Sequence, residues 1–412
     1  MSRLSGQSER NDLTPGKRAP DVHVNQYRDY NLLFTAFALA LLGTGIAVVG
    51  IVLLAFDLAS DDAGAVLGTA LAIKTGTYVV VAPIAAVLSG TVPKRPLMLI
   101  LVLVGASTIL LLPLITSVWQ LYALIFVFAA GSAVFNPTYQ ALVPYFLPEP
   151  SAYYRALTKA RVANELESAA SPLAAAVLLL VLDHDGLFVA AMAIFLLAAA
   201  ILSKVEIPTV DTVKKAKPLK EVGRGLRLFR DTPELRFLVP LNMAMALVVA
   251  MVMTNTVVLV QGLFDLGERA TAIGMAAFGV GVLVGALSMV PLLLRFKAQP
   301  LMLLSAAFAA GLLLFGTQIA SFEGLLVLWS LLGIGYGLAV TPASAILRSY
   351  GRAEDRGLLY ATYFSLANSA LFLAYPLVGW LSAALDTKTE FALLAAIAGV
   401  AVLTAFRLAR ML

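Results

Sequence analysis

The sequence predicts an all-α integral membrane protein in which twelve transmembrane helices form two parallel six-helix repeats. The composition is the first of three observations that predict this fold: 60% of the 412 residues are hydrophobic, 13% are charged, and the mean hydropathy is +0.91. A soluble core cannot bury that much apolar surface, which indicates a membrane protein. The other two observations are a series of long apolar runs and a set of short motifs that recur in the second half of the chain.

Apolar runs of about 18 to 25 residues, the length with which a helix crosses a bilayer, mark the predicted spans. Gly, Pro or charged residues occupy every gap between them. Gly333, Gly335 and Gly337 lie inside one run and are interpreted as positions of close helix packing or bending. The twelve predicted runs are 31–56, 64–88, 97–116, 119–146, 156–182, 187–203, 237–261, 270–294, 301–319, 324–347, 357–385 and 391–406.

The regions outside the runs suggest how the chain is divided. The first 29 residues are polar and lack the apolar core of a cleaved signal peptide, so we expect a disordered cytoplasmic tail. The longest connection is basic and separates six predicted helices from six, and we interpret it as an inner linker close to lipid head groups. The predicted parts are the tail at 1–29, a six-helix bundle at 30–203, the linker at 204–236 and a second bundle at 237–412.

The distribution of charge predicts the orientation, because Lys and Arg stay on the cytoplasmic side. With both termini inside, all but three of the 29 lysines and arginines fall in tails and inner loops, the exceptions being Arg269, Lys388 and Lys74. The predicted outer loops are acidic. Their carboxylates are Asp57, Asp61, Asp62, Asp183, Asp185, Asp265, Glu268, Glu323, Asp386 and Glu390.

Motifs repeat at an offset of 204 residues in matching helices. The sequence Pro-Leu-Met-Leu at 96–99 returns at 300–303, and the Ala-Asn pair at 163–164 returns at 367–368. This offset covers an even number of predicted helices. The two copies therefore enter the membrane in the same sense and are related by an axis along the membrane normal.

The charged residues of the second and fifth runs are candidates for coupling or ion pairing. On a helix, Glu167 shares a polar stripe with Arg161 and Asn164. Glu165 lies four residues from Arg161, so an ion pair within the helix is sufficient to explain it. Lys74 lies about 15 Å into its run at 1.5 Å per residue, too deep to reach the surface easily, and needs a carboxylate or a wet cavity.

Aromatic, methionine and amide side chains recur along faces of the seventh and eleventh runs. Such a lining suits amphiphilic ligands, because thioethers and rings adapt to many shapes. Interhelical packing is the alternative explanation of the aromatic stripes. The candidate cavity residues are Thr44, Tyr78, Asn136, Tyr139, Asn164, Asn242, Met245, Tyr336, Tyr360, Phe364, Asn368 and Phe372.

The sequence lacks the residues that several activities require. Cysteine is absent, and no Walker sequence for phosphate binding occurs, which argues against ATP-driven transport by this chain. With only His23 and His184 and no recognisable nucleophile, base and acid set, we predict no enzyme activity and no cofactor. The triplet Asp183-His184-Asp185 cannot fill a coordination sphere alone and is interpreted as an outer loop without a metal.

Two parallel six-helix halves joined by a basic loop resemble the major facilitator superfamily over residues 30–410. The sequence PIAAVLSGTVPKRPLML, after the second run, is similar to the family's signature loop G-x-L-A-D-R-x-x-R-R. Gly90 and Thr91 stand where the signature has Asp and Arg, whereas Lys94 and Arg95 remain. The charge relay usually assigned to this loop is therefore incomplete in this sequence.

The segments RALTKARVANELESAASPLAAA and LRSYGRAEDRGLLYATYFSLANSALFLAYPLVGWL look most like a multidrug-efflux and nickel-resistance branch of bacterial exporters. That branch carries an Asp in helix 1 and a His in helix 11, where this sequence has Thr44 and Asn368, and this disfavours a metal substrate. In the family's fold, helices 2 and 5 border a central cavity. Glu167 is therefore the first candidate partner of Lys74, with a purely structural pair as the alternative.

The resemblance implies a proton-coupled secondary transporter that exports a small amphiphilic or cationic compound by alternating access. It also implies a monomer among the lipids of a bacterial inner membrane, with both termini cytoplasmic and no nucleic-acid partner. A lipid or lysolipid flippase and a Ni or Co exporter remain alternatives, and a non-transporting membrane sensor is disfavoured. The residues predicted for coupling or ion pairing are Glu167, Glu165, Lys74 and Arg161.

Overall fold

The computed structural model describes residues 23–59, 62–147, 149–206, 218–350 and 356–410. Three of the predicted coupling side chains, those of Arg161, Glu165 and Glu167, lie outside the described residues, although the backbone of their helix is described. The side chains at 23–25, 82–91, 150–151, 154, 157–158, 161–162, 165–170, 218–222, 290 and 356–357 are likewise outside the described set.

Every element in the described ranges is helical. Short 3₁₀ turns extend α3 at Leu112–Leu114 and α11 at Gly316–Gln318, and a π-helical turn extends α9 at Val258–Leu263. The helices are α1 His23–Ala59, α2 Ala63–Thr91, α3 Lys94–Leu111, α4 Val118–Phe146, α5 Pro150–Leu178, α6 His184–Leu202, α7 Pro218–Asp231, α8 Pro233–Arg236, α9 Leu238–Val257, α10 Glu268–Leu293, α11 Ala298–Phe315, α12 Phe322–Val340, α13 Ala343–Tyr350, α14 Arg356–Ala384 and α15 Thr387–Arg410.

Eleven helical segments of the described chain are long and apolar enough to cross a membrane. They correspond to the predicted spans except the fifth, which is the 29-residue helix α5. Five charged residues lie in the sequence of α5, so its length suits a span better than its composition does. A helix with this many charges is acceptable in a membrane when it faces protein or water rather than lipid.

Several predicted boundaries differ from the structure. Helix α1 begins at His23, within the predicted tail, because a polar sequence can continue an α-helix beyond the bilayer into water. The predicted tenth span is divided at Thr341-Pro342 into α12 and α13, as a proline removes a backbone donor and interrupts the helix. The segment 204–236 contains α7 and α8, and the buried Phe229 anchors α7 while its arginines remain exposed.

The two halves pack their helices in the same pattern, which confirms the predicted fold class. In the first half, α1 packs on α5 and α6, α3 on α4 and α6, and α2 on α4. The second half repeats these contacts, since α9 packs on α14 and α15, α11 on α12 and α15, and α10 on α12. Each of these contacts in one half thus has a counterpart between the corresponding helices of the other half.

Glycine permits the close approach of α10 and α12, as predicted for the glycines of this span. A Cβ atom added at Gly281 would lie 3.1 Å from the Cα of Gly333, and one added at Gly337 would lie 2.9 Å from the backbone nitrogen of Ala286. Real Cβ atoms rarely approach neighbours this closely, so larger residues would push the helices apart. Small residues at the interface are the usual means of bringing helix backbones together in a membrane.

The halves meet where α2 contacts α14, where α5 contacts α10, and where α9 contacts α1 and α2. Helix α7, from the predicted linker, contacts both α2 and α14. Several side-chain contacts between the halves lie at the end of the bundle where α1 ends and α2 begins. This end, called the α1–α2 end below, carries residues 57–59, 62–69, 179–186, 263–269 and 379–390.

Candidate functional site

Helices α2 and α14 bring the backbones of the two halves into contact at the α1–α2 end. A Cβ atom added at either Gly68 or Gly379 would lie 3.0 Å from the Cα of the other glycine. Beside them, the indole Nε1 of Trp380 donates a hydrogen bond to Oγ1 of Thr69 across 3.3 Å. The two helices can approach this closely because the residues that meet have no side chain.

The start of α10 makes a second contact between the halves, through a histidine. Oε1 of Glu268 lies 2.7 Å from Nδ1 of His184, the first residue of α6. The other ring nitrogen, Nε2, lies 3.5 Å from Oδ2 of Asp57 and 3.5 Å from Oδ1 of Asp185. A neutral imidazole donates from one nitrogen only, whereas the protonated ring donates from both. The three carboxylates therefore suit a protonated His184 that bridges the halves.

A metal ion is a second possible occupant of this cluster, because ligand atoms of Asp57, His184 and Glu268 lie within 4.8 Å of one another. The donor arrangement fits a metal poorly, since the carboxylates flank opposite nitrogens of the ring and one ion binds only one of them. The prediction that Asp183-His184-Asp185 forms an outer loop was wrong for His184 and Asp185, which lie in the first turn of α6. His184 begins a helix, and the fold supplies it with carboxylates from α1 and α10.

Arg269 adds a third bond between the halves at this end. Its guanidinium donates to the carbonyl oxygens of Leu179 and Leu180, where α5 ends, and the bond to Leu180 is 3.0 Å long. The last carbonyl groups of a helix lack partners within the helix and carry partial negative charge. An arginine from the second half thus satisfies the end of a helix in the first.

Glu390 was predicted to lie in an outer loop, and the structure instead buries it in the first turn of α15, where it is 2% exposed. Nδ2 of Asn255, in α9, donates to Oε1 of Glu390 across 2.8 Å. Oγ of Ser382, in α14, donates to Oδ1 of the same asparagine across 2.5 Å. Ser382 also lies against α2, since a Cβ atom added at Gly64 would be 2.8 Å from its Oγ. Hydrogen bonds therefore connect Glu390 with the contact between α2 and α14.

An ionised carboxylate at this position has little to compensate for its burial. Removing an ion from water costs several kcal/mol even after relaxation. The start of a helix contributes about 0.3–1 kcal/mol to a nearby anion, and a hydrogen bond to a charged group about 1.5–3 kcal/mol. Helices α9 and α11, which pack on α15, contain no charged residue. The surroundings of Glu390 thus contribute hydrogen bonding but no opposite charge from these helices.

The cavity candidates of the first half bond mainly within their own helices. Thr44, Asn136 and Asn164 each make a hydrogen bond to a residue four positions away. Tyr139 is fully buried and stacks on Phe37 with ring centroids 4.0 Å apart, so it joins α4 to α1. The hydrogen bonds of Thr44, Asn136 and Asn164 thus lie within single helices, whereas Tyr139 packs between two helices of the first half.

Lys74 and Tyr78 are half buried on α2, and each has at least one interaction partner. Between them along the helix, Gly76 lies against the ring of Phe372 from α14, which would be 2.8 Å from an added Cβ atom. The contact between α2 and α14 thus continues from the α1–α2 end to the level of the predicted lysine. Of the coupling candidates, Lys74 is the one whose side chain is described.

In the second half, two candidates take part in helix contacts. Oδ1 of the buried Asn242 accepts a hydrogen bond of 3.1 Å from the hydroxyl of Tyr363, which joins α9 to α14. The ring of Tyr336 lies 6.0 Å from that of Phe278. Met245 is also buried. These residues support the alternative of interhelical packing as much as a ligand cavity.

The remaining candidates follow one another along α14. Tyr360, Phe364 and Phe372 are all exposed, and the half-buried Asn368 donates to the backbone oxygen of Phe364 across 2.9 Å. The hydroxyl of Tyr360 donates to the backbone oxygen of Ser344 across 2.9 Å. Helix α14 therefore presents accessible aromatic surface at positions that the sequence singled out.

Sequence reasoning missed the buried pair of Asn255 and Glu390 at the α1–α2 end. Asn255 lies in an apolar run and could have been noticed as a polar group that needs a partner. Glu390 offered no such signal, since it follows Asp386 and Lys388 at the edge of a run and reads as part of a loop.

Comparisons with known proteins give one family. The family model described as Major Facilitator Superfamily matches residues 33–304 and 243–411. No curated protein matches the chain.

Solved structures resemble the whole fold. A mutant of the nucleoside transporter NupG is similar with a TM-score of 0.74 and 13% identity, over 92% of this chain and 100% of that chain. The D-xylose-proton symporter has a TM-score of 0.71 and 15% identity, over 92% and 98% of the two chains. The human organic anion transporter TETRAN has a TM-score of 0.64 and 13% identity, over 92% and 99%. At these identities the likeness shows the fold alone.

Proposed function

The chain belongs to the major facilitator superfamily and is a multi-pass membrane transporter, and we propose that it exports a small amphiphilic or cationic compound in exchange for protons. We further propose that it lies in a bacterial inner membrane with both termini in the cytoplasm, so that the α1–α2 end faces outward. The direction of transport follows the efflux branch that the sequence resembles.

The observation that carries the proposal is the nature of the contact between the halves at the α1–α2 end. Glycine backbones, one indole hydrogen bond, a histidine bridge and an arginine at a helix end join the halves there. Each of these contacts is either a close approach of glycine backbones or a polar contact. This supports alternating access, in which the two repeats rock as rigid bodies around a site between them.

The proposed substrate class rests on accessible aromatic surface and on the kind of molecule that the fold accommodates. Tyr360, Phe364 and Phe372 on α14 offer rings to an amphiphilic ligand. Solved structures of the same fold are named for a nucleoside, D-xylose and organic anions, which are all small organic solutes. A cationic substrate would be balanced by Glu167, for which we propose alternation between a proton and the substrate or Lys74.

Flux measurements with purified protein in proteoliposomes test the proposal. An imposed pH gradient should drive movement of at least one member of a panel of lipophilic cations, and the same panel should include lysolipids and Ni²⁺ to test the alternatives. Glu167→Gln removes titration while keeping size and hydrogen bonding, and it should abolish the gradient-driven component. Glu165→Gln is the matched control and should have a much milder effect.

The outcomes distinguish the alternatives. Lysolipid movement without a pH gradient would favour a flippase, and saturable Ni²⁺ flux would favour a metal exporter. Full proton-driven flux in Glu167→Gln would contradict its proposed role. A loss of folding in that variant would favour a structural ion pair with Lys74.

A further inference from the structure

We propose that Glu390 is a proton-binding site, shut off from water while α2 and α14 touch at the α1–α2 end and opened to water when they separate. The inference rests on the alternating access proposed above and adds a titrating residue in the second half of the chain. Its observations are independent of Glu167, because they concern α9, α14 and α15 together with Gly64 of α2.

Among the described side chains, the helices around Glu390 place no lysine or arginine against it. Helices α9 and α11 and the turn Gly316–Gln318 contain no titratable residue, and α14 beyond residue 357 contributes only Tyr360, Tyr363 and Tyr375. Trp329 of α12 packs near Phe391, the residue that follows Glu390, with ring centroids 6.3 Å apart. For a buried carboxyl group among such neighbours, the neutral acid has a lower free energy than the anion.

The charged side chains that lie near Glu390 on α12, on α15 and just before α15 are exposed to water. On α15 and just before it, Lys388 and Asp386 are exposed, and the carboxylate of Asp386 is already bonded to Thr389. On α12, Glu323 is exposed as well. Helix α8, which carries Glu234 and Arg236, contacts α15 at the opposite end of the bundle from Asn255.

The hydrogen bond from Asn255 suits both protonation states of Glu390. Its amide nitrogen donates to Oε1 of the carboxyl group, which accepts whether or not the other oxygen carries a proton. The asparagine is held in this orientation by Ser382, which donates to its oxygen. A proton can therefore be bound or released at Glu390 without rearrangement of its partner.

Asn255 and Ser382 also connect the proton-binding site at Glu390 with the contact between α2 and α14. Ser382 lies between Asn255 and the backbone of Gly64, one helical turn from the place where Gly68 meets Gly379. Separation of α2 from α14 would uncover Ser382, whose hydrogen bond to Asn255 leads to Glu390. Water could then stabilise the carboxylate, so the closed state should bind the proton more tightly than the open state. By linkage, a rise in pH should favour the open state.

Distance measurements across the α1–α2 end test the linkage. The chain has no cysteine, so spin labels can be placed at Asp62→Cys in the first half and Ala384→Cys in the second, both exposed positions. Because His184 also titrates at this end, the measurements should use a His184→Gln background in lipid nanodiscs. The ratio of long to short distances should rise with pH, by up to about tenfold per pH unit for one linked proton.

Glu390→Gln keeps the acceptor for Asn255 and cannot ionise, so it should fold, remain closed and lose this pH dependence. Asp386→Asn, which alters an exposed carboxylate nearby, should titrate like the parent. The infrared difference spectrum supplies an independent readout, because the carbonyl band of a protonated carboxylic acid should be present in the parent and missing in Glu390→Gln.

Each contrary result has a distinct meaning. An unchanged pH dependence or an unchanged acid band in Glu390→Gln would overturn the proton site and leave alternating access intact. Labels that never separate, at any pH or with any tested substrate, would overturn both alternating access and the linkage. A response to Na⁺ at constant pH that disappears in Glu390→Gln would assign the site to a metal cation instead of a proton.

Discussion

Glu268 of α10 lies 2.7 Å from Nδ1 of His184 in α6, and this contact joins the second half of the chain to the first. Asp57 and Asp185 lie on the other side of the same ring. The bridge should therefore be strongest when both ring nitrogens carry protons.

The first prediction is that His184 and Glu268 are energetically coupled in a pH-dependent manner. A double-mutant cycle with His184→Gln and Glu268→Gln should give about 0.5–1 kcal/mol near pH 5, at the low end for contacting residues because both side chains are partly exposed. The coupling should fall as pH rises and His184 loses its proton. Thermal unfolding in detergent provides the measurement.

The exposed pair Arg230 and Asp231, 3.1 Å apart on α7, is a suitable control for the His184 cycle. Its coupling should be close to zero, as is usual for ion pairs at a surface. A coupling energy for His184 and Glu268 that is equally small at low and at high pH would show that the contact does not hold the halves together.

A second prediction concerns the glycine contact between α2 and α14. Gly68→Val should force the helices apart, because even a Cβ atom would lie 3.0 Å from the Cα of Gly379. Overpacking of this kind costs about 1–3 kcal/mol. Spin labels at Asp62→Cys and Ala384→Cys should shift to longer distances, and transport should be reduced.

Gly311→Val is the matched control, since it makes the same change in a helix where nothing lies within 4 Å of an added Cβ atom. It should leave both the distance and the flux close to those of the parent. Equal effects of the two substitutions would mean that valine acts through helix propensity and not through the contact.

The third prediction concerns Asp386, which precedes α15. Hydrogen bonds from the side chain and backbone of Thr389 lower the pKa of Asp386 below its ordinary value. A lowered pKa contributes stability above the pKa of the unfolded chain, and this contribution is lost as pH falls through the folded value. The parent should thus be more stable than Asp386→Ala at neutral pH, and the difference should shrink in acid.

Asp62→Ala, at an exposed position at the same end, controls for the loss of a surface charge. Thermal unfolding over a pH series is the measurement for both variants. A difference between Asp386→Ala and the parent that grows on acidification would contradict the proposed hydrogen-bonding role of Asp386.

The fourth prediction is the orientation in the membrane. A single cysteine at Lys388 should react with an impermeant reagent from outside only, and one at Arg227 on α7 from inside only, since both positions are exposed. The motivation is the concentration of lysine and arginine in the tails and predicted inner loops. Labelling of Lys388→Cys from the cytoplasm alone would reverse the assignment of the α1–α2 end.

The fold class could be predicted because it depends on quantities that are local in the chain. An apolar run long enough to span a bilayer must become a helix, since the hydrocarbon interior cannot satisfy backbone polar groups. Internal repeats at 96–99 and 300–303 then indicated how the runs are related. The helices inside the segment 204–236 were missed, because a search for long apolar runs does not detect an amphipathic helix such as α7.

The contacts between the halves could not be predicted in the same way. Gly64 and Ser382, or His184 and Glu268, are far apart in sequence and become neighbours only when two whole bundles dock. Nothing in the local pattern distinguishes Gly68, which meets another backbone, from Gly311, which has open space beside it. The difference lies entirely in the helix on the opposite side.

By itself, the sequence determined that this protein crosses a membrane repeatedly, that its halves are parallel repeats and that its basic residues favour one side, because hydropathy and charge act on each segment separately. Only the tertiary structure decided that Glu390 is buried beside Asn255 and that His184 joins two halves. Burial and hydrogen bonding depend on which distant segments meet, and docking of one helix bundle against the other decides this.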